Sequence, residues 1–596
     1  MTAPNIFTKE IDISTRVPSS AGDVYGGIVV RSPKGEVGKP LFMTSDTDLL
    51  KYLTPNERVE VGYDMAFYSA LAYLSKTNKL WVVRADNGST YGGAIMGTVS
   101  NTSLTSVNLG NISYVNTGAG TGFFSIAGDV SAKFKIGDSI KIEGSTANDG
   151  VYTVASATFN TPNTDIIVNE EVLDDTVDGH VNRNSIVTPT NYEFEVTDAL
   201  LITGSNQGSW ANDIQITLFT YAVSPDIVKE EGAFQINVLK KSTGDLLETF
   251  ICSRVVGAKD GYGQNIYVED IVTSSNYINI IDNVDVPSDT ALIEQTTPLS
   301  LLGALDGGTI SDSHMQTALS KLQNKNEIPL TIIMDGGWTT VAYQRAMDAL
   351  CQSRKDCVSC LSTPYSAENS STYMTDIVAY RKTDLNLNSS YSALYTPNLQ
   401  IQDRFNSRKI FVSPDGYAAA AIAETASNYE IWYAPAGTRR GMLNVLDVKR
   451  RFSEGELDLL YDNGINPIKF LHGRGIAIWG QKTLSSRPSA LDRLNVRLML
   501  VTVEPAVSVF LEDFLFEFND TLTRLLVRSG IESYMDGIKS RKGVYAYTVV
   551  CDESNNTAED IDNNKLNVFL YVQPTKTSEF ITLSVIITRT GFTITT

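Results

Sequence analysis

A chain of 596 residues, 42% of them hydrophobic, is too long for one core and divides into several domains. Its 48 Lys and Arg against 68 Asp and Glu leave a net charge of −20, which excludes a surface generally adhesive to nucleic acid or anionic membrane. Five cysteines without regular spacing suit a reducing compartment. The start, Met1-Thr-Ala-Pro-Asn-Ile-Phe7, has neither the basic residues nor the apolar run of a signal peptide. No stretch reaches the ~18 uninterrupted apolar residues of a membrane helix, so the expectation is a protein folded in a cytoplasm.

Ile6-Phe-Thr-Lys-Glu-Ile-Asp-Ile13 predicts a short strand, followed by a polar linker over Ser14–Gly22. Gly62–Leu74 predicts a helix with Met65, Tyr68, Leu71, Tyr73 and Leu74 near one face, running into a buried strand at Leu80–Ala85. Between Asn101 and Leu200 only Lys133, Lys135, Lys141 and Arg183 oppose thirteen acidic residues. Short β-type runs at Gly122–Ile126, Ser139–Glu143, Gly150–Val154 and Asp165–Val168, separated by turn signals, predict a small antiparallel barrel or sandwich. Its acidic, motif-free composition reads as an inserted, solvated domain. Asp213–Leu218 and Phe234–Leu239 mark a second β-rich insertion. The α/β pattern then returns as strand Leu330–Met334, helix Val341–Arg354, strand Cys357–Leu361 and an Ala-rich helix over Pro414–Ala426.

No catalytic group, cofactor site or metal site emerges. Gly475-x4-Gly480-Gln-Lys-Thr483 nearly matches a phosphate-binding loop, but Gln481 separates Gly480 from Lys482 and the intervening Ile-Ala-Ile-Trp reads as a strand. Cys357-Val-Ser-Cys360, with Cys351 nearby, lacks the second ligand pair of a zinc site and reads as unpaired thiols. His180, His314 and His472 are far apart, with nothing to mark a catalytic partner.

Residues 430–542 depart from the acidic balance, with sixteen Lys and Arg against fourteen Asp and Glu. Ser508–Ser529 predicts one amphipathic helix with Phe510, Phe514, Leu515, Phe518, Leu522, Leu525 and Leu526 as its apolar stripe. Acids in its first half and Arg524 and Arg528 near its end suit the helix dipole. With Lys539, Arg541 and Lys542 downstream, these arginines compose a candidate basic patch.

The last third carries a series of phrases: Tyr433-Ala-Pro-Ala-Gly437, Gly441-Met-Leu-Asn-Val445, Gly464-Ile-Asn-Pro467, Gly475–Leu484, Asp492–Arg497, Tyr547–Asn556 and Tyr571-Val-Gln-Pro574. In this order and spacing they resemble the C-terminal half of bacteriophage contractile-tail sheath proteins, with a weaker trace at Met65–Ala85. The resemblance implies an α+β multidomain chain whose α/β layered core is formed by both chain ends, with antiparallel β-rich domains inserted. The corresponding division is an N-terminal arm and linker (1–22), a discontinuous α/β domain (23–100 with 300–483), an outermost insertion (101–200), a second insertion (201–299), a C-terminal core domain (484–578) and a C-terminal arm (579–596).

It further implies a non-enzymatic subunit of stacked hexameric rings in the virion tail, assembled in the host bacterial cytoplasm. The rings surround a tail tube, meet baseplate and tail terminator proteins, and contract to drive the tube through the host envelope. Neither nucleic acid nor membrane insertion enters that reading. Ile6, Phe7, Ile11 and Ile13 at one end, and Ile581, Leu583, Val585 and Ile587 at the other, are the expected intersubunit strand arms. Arg524, Arg528, Lys539, Arg541 and Lys542 are the expected tube-facing basic patch. A tail adhesin or other virion structural protein, or a nucleotide-driven enzyme, are the alternatives.

Overall fold

Short runs of Val, Ile and Leu, too short for helices and apolar on both faces, suit strands covered on both sides. In the computed structural model, which describes residues 24–97, 112–116, 122–127, 131, 139–143, 150–161, 163–169, 172, 180–182, 198–220 and 232–579, these runs assemble a nine-stranded sheet. Its spatial order is Leu41–Met43, Leu80–Arg84, Gly26–Val30, Ile332–Met334, Val358–Ser362, Ser392–Thr396, Ile465–Leu471, Gly475–Ile478 and Met442–Leu443. Leu80–Arg84 through Ile465–Leu471 are parallel, and the outer strands are antiparallel. The parallel strands, counted along the chain, follow the order 2-1-3-4-5-6 of a doubly wound sheet.

Alternation of side chains divides the core in two. Ile28, Val30, Val82, Met334 and Cys360 point to one cluster, which helices Ala66–Leu74, Asp415–Asn428, Leu494–Glu512 and Thr521–Ser540 complete. Val29, Val83, Ile333, Leu361 and Leu394 point to the other, completed by helices Asp312–Ser320 and Val341–Arg354. Helix Ala66–Leu74 starts later than the sequence predicts and buries nearly every residue, while Met65 stays exposed. The cause is its close contact with helix Asp415–Asn428: a Cβ on Gly416 would lie 2.4 Å from Ser69 Cα, so only glycine permits this approach. Helix Leu494–Glu512 is apolar and long enough to cross a membrane, yet ten of its residues are buried within the protein.

Three further sheets lie between the two halves of the large one. Within 101–200 the strands pair antiparallel in the order His180–Asn182, Ser139–Glu143, Gly150–Asn160, Asn163–Val168, Gly122–Ala127 and Ile112–Asn116. A three-stranded sheet (Ile278–Asp282, Asp198–Gly204, Gly93–Gly97) and a four-stranded one (Leu246–Cys252, Phe234–Lys240, Ile214–Thr220, Gln295–Ser300) share a core of Met96, Leu200, Ile202, Ile216, Phe234 and Val238. The protein is therefore a multidomain chain that mixes helices with several sheets.

The single helix predicted over Ser508–Ser529 is two. The first ends at Glu512, Phe516 adopts a left-handed φ of 69°, and Asp520 starts the second by accepting the Thr523 amide at 2.7 Å. The predicted stripe divides accordingly. Phe510 and Phe514 pack edge to face 5.2 Å apart, whereas Leu515, Phe518, Leu522 and Leu525 are exposed.

Candidate assembly surfaces

In a doubly wound sheet the natural ligand site is the crevice beyond the carboxyl ends of the strands, where the order reverses. Here that crevice lies past Val30 and Met334, and the chain's own carboxylates fill it. Asp335 accepts the amides of Gly337 and Ser362 and the amide group of Gln344, at 3.0, 2.6 and 2.8 Å. Asp415 accepts from the Gly336 amide at 2.8 Å and from the hydroxyls of Ser69 and Ser413. Burial and the neighbouring Asp415 charge lift the Asp335 carboxyl well above its ordinary range, against the amides that favour its charged form. Burial raises Asp415 as well. Next to them Asp64 takes both a backbone and a bidentate side-chain bond from Arg31, which lies over the Trp338 ring. Asp312 accepts from Trp338 and Thr340 ahead of helix Val341–Arg354. Carboxylates thus occupy the place where an incoming phosphate would need amide donors.

The other chemical candidates resolve into structure. Gly475–Ile478 is a strand of the large sheet, paired to Ile465–Leu471. All five cysteines are buried and unlinked, and Cys351 and Cys357 approach to 3.5 Å between sulfurs. His314 closes a capping box with Ser311 at the start of helix Asp312–Ser320. Among the described residues no group of three or more His, Cys, Asp or Glu is placed to hold a metal ion.

The basic candidates differ in exposure and in partners. Arg524 is only 6% exposed, and its guanidinium donates to the carbonyl and side-chain oxygens of Asn519, holding the turn before its own helix. It is a structural cation, not a surface one. Arg528 pairs with Glu532 at 2.8 Å and Arg541 with Glu430 at 3.0 Å, each partly exposed. Lys539 and Lys542 are exposed at the far end of the helix. Helical spacing carries the signal that sequence reading overlooked: Arg524 lies in register with buried Val527, Ile531, Tyr534, Met535 and Ile538.

The arm residues Ile6, Phe7, Ile11, Ile13, Ile581, Leu583, Val585 and Ile587 lie outside the described residues. Near the C-terminal end the structure describes an antiparallel pair, Val544–Val550 with Phe569–Pro574, that forms a sheet of its own. Both outer edges lack a strand partner among the described residues, and Tyr545, Phe569 and Tyr571 are exposed. Such open edges offer unpaired backbone groups to another strand.

Residues 308–484 match the profile of the phage tail sheath protein central domain, and residues 486–588 that of the phage tail sheath C-terminal domain. The tail sheath protein of Vibrio phage KVP40 is 30% identical over 387 residues, which cover 60% of this chain and 55% of that protein. That of Enterobacteria phage T4 is 27% identical over 377 residues, covering 60% of this chain and 56% of the relative. The chain therefore spans little more than half the length of these curated relatives. In fold it is similar to the crystal structure of the sheath tail protein from Desulfitobacterium hafniense, with a TM-score of 0.50 over 96% of each chain at 11% identity. Residues 308–588 thus carry the central and C-terminal domains of phage tail sheath proteins in sequence, within a chain whose fold is similar to that of a sheath tail protein.

Proposed function

We propose that the protein is the structural subunit of a contractile tail sheath, polymerising as stacked hexameric rings around a tail tube and contracting to drive that tube through a host envelope. The observation that carries this reading is the isolated pair Val544–Val550 and Phe569–Pro574. A two-stranded sheet is marginal alone, so the pair gains most when further strands join its edges. In this reading the strands come from neighbours, through Ile6–Ile13 and the residues after Ser578, and link subunits by backbone hydrogen bonds while the bodies rearrange. The exposed Leu515, Phe516 and Phe518 fit a surface that assembly covers. The acidic insertions 101–200 and 201–299 face outward, and a core shared by the chain ends faces the tube. Baseplate and terminator proteins cap the stack, which is built in the host cytoplasm.

Contraction needs no nucleotide. Its free energy comes from extra complementary surface buried in the contracted state, summed over many identical subunits. Electron microscopy of the purified protein tests the reading, with tubular polymers as the expected result. Specific turnover of labelled ATP, or monomers under all conditions, refutes it. Deleting Met1–Ile13 is expected to leave a folded monomer that no longer polymerises.

A further inference from the structure

Glu579 lies five residues past strand Phe569–Pro574, and a cluster of side chains more than eighty residues away in sequence holds it. One carboxylate oxygen accepts from Arg493 Nε at 2.7 Å and Gln481 Nε2 at 2.9 Å, and the other from the Tyr461 hydroxyl at 2.7 Å. Gln481 also donates to the Thr577 hydroxyl at 2.6 Å, so two successive points of the chain are tied to the same side chain.

The holders are themselves fixed. Arg493 caps the start of core helix Leu494–Glu512, and the Leu494 amide donates to the Gln481 carbonyl at 2.8 Å. Tyr461 lies on helix Glu454–Asp462 under the Lys482 ammonium, which stands 4.3 Å from its ring centroid. The ion pair is mostly shielded, with side chains 26% and 17% exposed. Burial alone would raise the Glu579 carboxyl. The bonds from Arg493, Gln481 and Tyr461 outweigh it and hold the group below its ordinary range. Glu579, Tyr461 and Gln481 also line a groove of about 570 Å³ with Trp432 and Trp479.

We infer that Glu579 is the positioning residue for the C-terminal segment: its clamp to Arg493, Gln481 and Tyr461 fixes residues 575–579, from which the chain continues to that segment, against the body. The inference rests on the reading that this segment reaches a neighbouring subunit, and it adds where the load enters. A pull on the segment passes through one carboxylate into the N-terminus of a core helix, and not along the open hairpin. A charged, three-donor clamp resists such a pull better than the exposed strand Phe569–Pro574 does, because its donors are fixed by two parts of the fold, helix Glu454–Asp462 and the mutually paired segments at Gln481 and Arg493. Without the clamp the last backbone tie is that of the Thr575 amide to the Gly543 carbonyl, and the effective concentration of the segment at the neighbour's acceptor edge falls as the tether lengthens.

The test compares full-length E579Q and Y461F with a chain truncated after Glu579, using amide hydrogen exchange of the monomer and polymer formation by light scattering and electron microscopy. The truncated chain is expected not to polymerise; if it builds normal tubes, the segment is no link, and the reading beneath the inference is what fails. E579Q is expected to keep the wild-type melting temperature within a few degrees, to exchange faster over 575–579, and to polymerise roughly tenfold more slowly. If the truncation blocks polymers while E579Q polymerises at the wild-type rate, the clamp inference is overturned alone. Should E579Q fold poorly, Y461F, which removes one donor and keeps the ion pair, decides. Faster exchange over 575–579 with slowed assembly supports the clamp, and wild-type values of both overturn it.

Discussion

Gly530 stands so close to Phe510 that a Cβ built on it would lie 2.3 Å from Cζ of the ring. This contact joins helices Leu494–Glu512 and Thr521–Ser540 at the point where the predicted single helix folds back on itself. Exchanging Gly530 for Ala gains about 1 kcal/mol of helix propensity. Forcing a methyl group into the ring costs about 1–3 kcal/mol, because the buried Phe510 ring must shift to admit it. G530A is expected to unfold at lower denaturant. Adding F510L should recover much of the loss, and a double-mutant cycle measures the coupling. Additive effects would show that the two residues do not oppose each other.

The carboxyls behind Met334 predict a pH dependence of definite sign. Asp335 has a raised pKa in the folded protein, so the folded state holds its proton over a window in which the unfolded chain has released it. The resulting contribution is fully present below the unfolded value and is lost as pH rises through the folded one. Thermal unfolding of wild type and D335N between about pH 4 and 8 should show the advantage of wild type shrinking as pH increases. An advantage that grows with pH would mean that Asp335 is stabilised as an anion.

Arg524 and the exposed lysines separate folding from surface charge. R524A leaves the oxygens of Asn519 without their donor and is expected to cost about 1–3 kcal/mol of stability. K539E with K542E should change stability by no more than about 0.5 kcal/mol. In the proposed assembly that double reversal weakens tube-templated polymerisation, and added salt acts in the same direction. Normal assembly of the reversal variant on native tubes would remove this surface from the tube contact.

Lys542 offers a cleaner separation. It has a left-handed φ of 65° just past the end of helix Thr521–Ser540, where glycine is the favoured residue. K542G is expected to raise stability by about 0.5–1 kcal/mol while removing a surface cation. A more stable monomer with weaker tube-templated assembly would assign the lysine to the contact itself.

Much of the strand pattern was legible because β-branched runs of four to seven residues bounded by Gly, Pro or Asn have few other ways to bury themselves. Val341–Arg354 matches the expected helix at both ends, with Thr340 capping the Tyr343 amide and Lys355 left-handed beyond it. The helix break at Asp513–Asn519 was missed because apolar periodicity persists across it, and only Asp520, an N-cap, marks the restart. The filled crevice was invisible for a different reason. Ser69, Asp335, Gln344, Ser362 and Asp415 meet only once the sheet has brought distant segments together, and no local pattern records that meeting.

The large sheet also sets a timetable for the newborn chain. Gly26–Val30 and Leu80–Arg84 pair with each other early, but the other side of Gly26–Val30 waits for Ile332–Met334. With roughly 250 residues still to be made, and synthesis at ~5–20 residues per second, that edge stays open for about 10–50 s. During this interval Gly26–Val30 presents an unpaired, apolar edge. The intervening acidic segments are made in that period. The length of chain that takes no part in the parallel sheet thus sets how long its edge stays open.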